Sequence, residues 1–184
     1  MPEGVYEQGQ LNIDKSITLA AVGNAENTII SLTGGDMSVL ADMVTVKGFT
    51  ITGGESVYLV KVGRSTQSVS GCRIENCVFA PSGDADGITI YSNAADIDII
   101  SCDISNCVNG VVIYPDCADI AVLDNDIHDN GCGIRLLGSV AQTRLYANGI
   151  YRNTLYGVFN GSAVLLNAAN NFWAVASGPF HTVL

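Results

Sequence analysis

Two carboxylates of this sequence, Asp103 and Asp126, recur at one position of a repeated segment, and three other polar or aromatic residues follow in the same way: His128, Tyr151 and Trp173. If equivalent residues of successive repeats stack, the two carboxylates lie close together. Like charges at short range raise a pKa or attract a cation. An exposed Tyr and Trp would add a flat surface for a sugar ring. We therefore predict a ligand site at these five residues; the alternative is a solvated polar face with Trp173 capping the stack.

A second acidic segment indicates a metal site. Asp84 and Asp86 alternate within the segment DADG, as hard oxygen ligands for calcium do. The full calcium-loop pattern is absent, because no Glu follows at the required distance. The sequence predicts metal binding at Asp84 and Asp86, with calcium as the candidate ion and no other cofactor indicated. The alternative is a solvated turn.

A repeat of about two dozen residues positions these side chains. Its reference positions are, in order, Ile51, Ile74, Ile104, Ile127, Ile150 and Phe172. A fixed period of this size is typical of stacked-repeat proteins. The step from Ile74 to Ile104 is seven residues longer than the next one, and we assign the extra residues to a loop within 78–86. On this alignment Arg73 stands in the same outward column as Asp103 and Asp126.

Short strands form each repeat. Segments such as GITIY and GVVIY alternate apolar with other residues, are rich in β-branched residues and are bounded by Gly, Asn or Asp. No window of twelve residues has a convincing helical period. Strands without helices can bury their apolar side only by winding into a coil that stacks on the next coil. The sequence therefore predicts an all-β fold, a right-handed parallel β-helix of about seven coils built from one chain.

Asparagine and cysteine occupy the predicted inward turns. One column is Phe49, Cys72, Cys102, Asn125, Asn148 and Asn170, and another contains Cys77, Cys107, Asn130 and Asn153. Asn tolerates left-handed turn geometry, and its amide can satisfy turn backbone groups. The cysteines are expected as stacked buried thiols or as disulfides of an oxidising compartment. Their spacing matches no common zinc pattern, and no basic residue accompanies them as a reactive cysteine would require.

Charge and hydropathy exclude several classes of partner. The net charge is −10, from 18 acidic and 8 basic residues. Phosphate binding needs clustered Lys and Arg, so nucleic acid is not an expected partner. The chain has no apolar run of eighteen residues, so membrane insertion is not expected either. The N-terminal residues MPEGVYEQG lack the features of a signal peptide.

Three segments resemble a known family. GVYEQGQLNIDKSITL (4–19), VTVKGFTITGG (44–54) and NNFWAVASGPFH (170–181) are similar to segments of pectate-lyase-like right-handed β-helix proteins. This family includes repeat proteins on the surfaces of methanogenic archaea and related secreted bacterial proteins. The resemblance spans the chain and implies one β-helix domain, residues 1–184, as a module of a longer protein. It also implies an extracellular or cell-surface location.

The function expected from the resemblance is structural. Many relatives cleave or epimerise polyuronates, but the basic residues here are scattered and the acidic field would repel a polyanion. The strands that follow the repeated glycines, Gly87, Gly110, Gly133 and Gly157, are expected to expose Thr89, Val112, Arg135 and Phe159, which include no carboxylate. We predict no catalytic residues and expect a non-catalytic module of a surface, sheath or adhesin protein. It would self-associate end to end, pair with neighbouring repeats or bind polysaccharide; the alternative is a polysaccharide-active lyase, epimerase or hydrolase.

Overall fold

The computed structural model describes residues 1–53, 56–163 and 165–173. Gly54, the SGPFH segment at 177–181 and Val183 lie outside the described residues. The strands are β1 (Gly4–Gln8), β2 (Leu11–Ile13), β3 (Thr18–Ala20), β4 (Thr28–Leu32), β5 (Met37–Val39), β6 (Thr45–Lys47), β7 (Thr50–Gly53), β8 (Tyr58–Val62), β9 (Ser70–Glu75), β10 (Val78–Pro81), β11 (Asp86–Ile90), β12 (Ala95–Ile100), β13 (Asp103–Ser105), β14 (Asn109–Ile113), β15 (Cys117–Leu123), β16 (Asp126–His128), β17 (Cys132–Leu136), β18 (Val140–Ala141), β19 (Arg144–Tyr146), β20 (Gly149–Tyr151) and β21 (Tyr156–Asn160).

These strands form three parallel sheets that wind around one axis. Sheet A has the order β1-β4-β7-β10-β13-β16-β20, sheet B the order β2-β5-β8-β11-β14-β17-β21, and sheet C the order β3-β6-β9-β12-β15-β18, with β19 also pairing β15. Each coil therefore contributes one strand to each sheet. The predicted all-β, right-handed parallel β-helix of about seven coils is confirmed. A single 3-10 turn, Ala25–Asn27, interrupts the strands in the described residues, and no helix there has the length and apolar character needed to span a membrane.

The core is a set of apolar columns inside the coils. In sheet A the inward column is Ile30, Ile51, Phe79, Ile104, Ile127 and Ile150, each at most 2% exposed. Successive side chains of a strand point to opposite faces, so the residues on either side of this column face solvent. The inward isoleucines thus fix which residues are available on the outer face of sheet A.

One coil was aligned wrongly from the sequence. Ile74 pairs with Val46 and Ile99 in sheet C, and the position in sheet A belongs to Phe79. The seven extra residues are therefore not one loop within 78–86. Compared with the 23-residue coil of β13, β14 and β15, two lie between β7 and β8, three between β8 and β9, and two between β10 and β11.

The corner between sheets C and A is a tight turn with one left-handed residue. Its column is Gly48, Asn76, Ser101, Asp124, Ala147 and Asn170, with φ between 52° and 77°. The next residue of each turn points inward and forms a ladder. Asn125 Nδ2 donates to the carbonyl of Ile99 at 2.9 Å and to Asn148 Oδ1 at 2.9 Å. The predicted asparagine column is confirmed, although its next member is Asn171 and not Asn170.

Cysteines continue the same ladder. Cys77 and Cys102 precede Asn125 in the column, because Val78 pairs with Asp103 and Asp103 with Asp126; the predicted member Cys72 lies instead in sheet C. The Cys102 thiol donates to the carbonyl of Ile74 at 3.7 Å, as the Asn125 amide does to Ile99. All six cysteines fall within the described residues, and they are buried free thiols.

Candidate functional site

Sheet A brings together four of the five residues predicted to bind a ligand. Asp103 pairs with Asp126, and His128 pairs with Tyr151. Strands β13, β16 and β20 are only three residues long, so each holds one inward isoleucine and directs one residue on either side toward the outer face. We call Asp103, Asp126, His128, Asp129, Tyr151 and Arg152 the sheet A patch.

The polar groups of the sheet A patch contact one another. The Tyr151 hydroxyl donates to Asp126 Oδ2 at 2.9 Å. The two ring nitrogens of His128 lie 3.2 Å from Asp103 Oδ1 and 2.6 Å from Asp129 Oδ2. Arg152 also donates to Asp129, whose pKa it holds below the usual range together with His128. Three carboxylates are thus shared among one hydroxyl, one imidazole and one guanidinium.

The aromatic rings of the patch face each other. His128 and Tyr151 stack with centroids 5.1 Å apart and planes 7° apart, and the Arg152 guanidinium lies 5.1 Å from the centroid of the Tyr151 ring. Partial burial, followed by the hydrogen bond to Asp126, raises the pKa of Tyr151. The rings of His128 and Tyr151, at equivalent positions one coil apart, therefore stack on each other. The flat surface that a sugar ring would need is occupied by His128 and Arg152.

Trp173 does not join this face. Phe172 pairs with Gly149, so Trp173 follows at the inward position of Ile150 and not at the outward position of Tyr151. The outward column of Asp126 and Gly149 continues to Phe172, which is 66% exposed. A shift of one residue in a strand moves its side chain to the other face. Trp173 packs against the core, and a Cβ at Gly157 would lie 3.4 Å from its Cζ3 atom. The placement of Trp173 beside Tyr151 is corrected: it packs at the end of the inward column.

Arg73 also lies elsewhere than predicted. It is in sheet C, where it pairs with Asp98 in register and contacts it at 3.1 Å. Its Nε atom contacts Glu75, which Lys47 also approaches at 3.7 Å. The hydrogen bond from Arg73 lowers the pKa of Glu75. These residues form an ion-pair network on the outer face of sheet C. Asp103 lies in a different sheet, sheet A.

The two aspartates predicted to bind calcium are in different settings. Asp86 begins β11, and its Oδ1 accepts hydrogen bonds from the backbone N of Asn109 at 3.1 Å and from Nδ2 of Asn109 at 2.6 Å. Burial raises its pKa. Asp84 is exposed in the preceding turn. Among residues 1–53, 56–163 and 165–173, no group of three or more His, Cys, Asp or Glu side chains is placed to hold a metal ion. Calcium binding at Asp84 and Asp86 stays a prediction.

A surface that the sequence analysis missed lies on the outer face of sheet B. Tyr91 and Tyr114 stack with centroids 5.1 Å apart, and Tyr58 meets Tyr91 edge-on at 6.2 Å. We call these three residues the sheet B tyrosine surface. Lys61 lies 5.7 Å from the Tyr58 ring. Tyr91 and Tyr114 each follow a GxxI segment, 23 residues apart, and this repeat in the sequence was the available signal.

These side chains form an outer layer over the sheet. Thr89 is outward in β11 yet has no exposed surface, and its outward neighbour Val112 is 3% exposed. The pKa of Tyr58 is raised, first by its hydrogen bond with Tyr91 and then by burial. Burial is the main cause of the raised pKa of Tyr114. The phenols of Tyr58 and Tyr114 thus remain protonated and able to donate hydrogen bonds at neutral pH.

Comparisons with known proteins bear on the fold. A solved structure that resembles the chain is the A-module of the Azotobacter vinelandii mannuronan C-5 epimerase AlgE6, with 14% sequence identity, a TM-score of 0.40, and coverage of 83% of this chain and 67% of that chain. At this level the likeness bears on neither activity nor substrate. No curated protein matches the chain. The model of the right-handed β-helix region family matches residues 6–171, and the chain therefore belongs to that family, in agreement with the resemblance to pectate-lyase-like β-helix proteins.

Proposed function

We propose that the chain is a non-catalytic β-helix module of an extracellular protein of the cell-surface, sheath or adhesin type. The observation that carries this proposal is the arrangement of the sheet A patch. Its titratable groups contact one another across successive coils: the Tyr151 hydroxyl donates to Asp126, and a ring nitrogen of His128 lies 3.2 Å from Asp103 Oδ1. A general acid or base must reach a substrate atom. In this patch the candidate acids and bases are instead used to join β13, β16 and β20.

The edge of the first coil supports a role in assembly. Among the described residues, strand β1 pairs with one sheet neighbour, β4, and a further strand could pair on its other side. Exposed strand edges recruit other strands. A neighbouring repeat or a second copy of the chain would continue the same parallel ladder. Stacking of one end on another is heterologous and produces rings or filaments.

An activity assay tests the non-catalytic role. The protein is incubated with neutral and uronate-containing polysaccharides, with and without millimolar calcium, and chain cleavage, unsaturated ends and epimer content are measured. We expect no turnover in either condition. Turnover by the parent that Asp86→Asn or Asp126→Asn abolishes would favour the alternative, a polysaccharide-active enzyme. A calcium-dependent rise in melting temperature that Asp86→Asn removes would support the predicted metal site.

Light scattering across a concentration series tests assembly. Val5 of β1 is 63% exposed, and a Val5→Lys variant would place a charge at the free edge. We expect the parent to associate and Val5→Lys to associate less. Val22→Lys, at a residue that is 81% exposed and outside the strands, is the control. A parent that is monomeric at high concentration would remove the assembly proposal while leaving the non-catalytic role intact.

Carbohydrate binding is a second candidate, favoured by the sheet B tyrosine surface. Tyr58, Tyr91 and Tyr114 come from three successive coils and lie in contact on the outer face of sheet B. An extended glycan could lie across this surface. Tyr91→Ala and Tyr114→Ala should then weaken retention on polysaccharide gels. Tyr146→Ala is a matched control, because Tyr146 is 52% exposed on sheet C. Equal retention of all three variants would exclude this surface.

A further inference from the structure

Three of the seven tyrosines of the chain form the sheet B tyrosine surface, and all seven lie in the described residues. Among these seven, rings contact one another at the Tyr58–Tyr91 pair and at the Tyr91–Tyr114 pair, both on this surface. The three side chains are half-buried, so part of each ring is open to solvent. Phenols that contact one another and remain accessible can be coupled by a one-electron oxidant.

Tyr58 and Tyr91 approach each other from opposite ends of adjacent strands. Tyr58 is the first residue of β8 and pairs with Asp86, the first residue of β11, whereas Tyr91 directly follows the end of β11 at Ile90. Their ring centroids are nevertheless only 6.2 Å apart, with planes at 67°. The two rings therefore extend toward each other and meet at the ends that carry the hydroxyls, in agreement with the hydrogen bond between the two side chains.

Tyr91 and Tyr114 meet in a different geometry. The backbone N of Tyr91 donates to Val62 and that of Tyr114 to Ile90, and Val62 pairs with Ile90, so the two tyrosines occupy one position of successive coils. Their rings stack with planes 9° apart. A bond between the ring carbons next to the hydroxyls places two rings edge to edge, with their main chains on opposite sides. The Tyr58–Tyr91 pair fits that arrangement, whereas stacked rings that rise side by side do not.

We propose that Tyr58 and Tyr91 form a dityrosine cross-link when the protein meets a one-electron oxidant, such as a haem peroxidase with hydrogen peroxide. Each phenol gives up one electron and one proton, and the two phenoxyl radicals join through a carbon ortho to each hydroxyl. The hydrogen on each joined carbon then moves to the phenolic oxygen, which restores both aromatic rings. One hydrogen peroxide molecule is reduced to two water molecules for each bond formed. The proposal goes beyond the structural role of the module and does not depend on it.

The cross-link fastens two successive coils at an irregular part of the β-helix. The segment between β8 and β9 is three residues longer than its equivalent between β14 and β15, and Tyr58 belongs to the coil of β8. A covalent bond between residues 58 and 91 closes a loop in the unfolded chain and reduces its conformational freedom, as a disulfide does. We therefore expect the cross-linked protein to melt at a higher temperature than the untreated protein.

The test treats dilute protein with a haem peroxidase and hydrogen peroxide. Products are followed by dityrosine fluorescence, by gel electrophoresis and by mass spectrometry of proteolytic peptides. We expect a product of monomer size that has lost two hydrogen atoms and in which the peptides of Tyr58 and Tyr91 are joined. This product should be lost in Tyr58→Phe and in Tyr91→Phe, because each variant keeps the ring but lacks the phenol. Circular dichroism checks that each variant is folded before oxidation.

Tyr114→Phe and Tyr146→Phe are the matched controls. Tyr114→Phe keeps the ring that stacks on Tyr91, and Tyr146 is 52% exposed on sheet C, so both variants should form the cross-link as the parent does. Unfolding in urea before oxidation should reduce the yield, because the two rings are then no longer held together. The proposal is overturned if the parent forms no dityrosine within one chain, if the joined peptides carry other tyrosines, or if Tyr58→Phe couples as the parent does.

Discussion

Asn125 and Asn148 occupy one position of successive coils, and the Asn125 side-chain amide donates to the Asn148 side-chain oxygen at 2.9 Å. Asn125 Oδ1 in turn accepts the backbone N–H of Cys102 at 2.9 Å. Each amide therefore satisfies a turn N–H and a carbonyl oxygen of the preceding coil. Buried backbone groups at a corner would otherwise lack partners. This ladder allows a turn of two residues to repeat without leaving polar groups unpaired.

The left-handed column predicts a stabilising substitution. Ala147 has a φ of 56°, a conformation that costs a residue with a Cβ about 1 kcal/mol. We expect Ala147→Gly to raise the free energy of unfolding by about 0.5 kcal/mol. This gain is smaller than the conformational cost that is removed, because glycine has more freedom than alanine in the unfolded chain. Denaturant unfolding measures this change. Ala141→Gly, in strand β18 and also exposed, should lower stability instead. Equal effects of the two changes would argue against the turn assignment.

The cysteine part of the ladder predicts that an amide can replace a thiol. Cys102 precedes Asn125 in the column, and its thiol donates weakly to the Ile74 carbonyl. In Cys102→Asn the new amide would bond that carbonyl and accept from the backbone N of Cys77. We expect a gain of about 1 kcal/mol in the free energy of unfolding. Cys132→Asn, outside the ladder, should be destabilising. Loss of stability in Cys102→Asn would contradict the equivalence of thiol and amide.

Buried thiols predict a stability that decreases in alkaline solution. Burial raises the pKa of Cys107 to about 12 and that of Cys117 to about 11, from 9.0. Between pH 9 and these pKa values the unfolded chain loses thiol protons that the folded chain keeps. The contribution of the buried thiols to stability is therefore complete below pH 9 and falls as the pH rises toward 11 to 12. The slope is about 1 kcal/mol per thiol and pH unit.

A paired comparison isolates this contribution, because tyrosines titrate in the same range. The free energy of unfolding of the parent and of Cys107→Ala is measured from pH 8 to pH 11. The free energy of unfolding of the parent minus that of Cys107→Ala should decrease as pH rises, because the variant lacks one ionising thiol. A difference that is constant across this range would show that Cys107 is not buried as described.

The regular part of the repeat could be predicted from the sequence, and the irregular part could not. From Ile99 to Asn153 each coil has 23 residues, so the Asn columns and the pairing of Asp103 with Asp126 followed directly. The coil before it was misaligned because Cys72-Arg73-Ile74 resembles Cys102-Asp103-Ile104. All three sheets have the same alternation, so a strand alone does not indicate its sheet. Only the need for three strands in every coil places Ile74 in sheet C.

The candidate site shows the same division. The proximity of Asp126 and His128 to Tyr151 depended only on register and was predicted correctly. That the rings cover each other's faces depended on rotamers, which a sequence does not show. Trp173 was misplaced because the sequence analysis counted 22 residues from Ile150 to its equivalent in the next coil, whereas the structure has 23.

The most direct test of the account is the Asn125→Asp variant, because the ladder is the element on which every outward position depends. The carboxylate would lose both amide donations and place a charge among carbonyl oxygens at 2% exposure. The matched control is Asn106→Asp, at an exposed residue that is also left-handed, with φ 59°. Unfolding by urea is measured at pH 7 and at pH 5.

We expect Asn125→Asp to lose about 3 kcal/mol or more at pH 7, with part of the loss recovered at pH 5, because burial raises the pKa of the new carboxyl and protonation restores a donor. Asn106→Asp should unfold with the parent at both pH values. If Asn125→Asp has the stability of the parent at pH 7, the asparagine ladder does not hold the coils together and the account is contradicted.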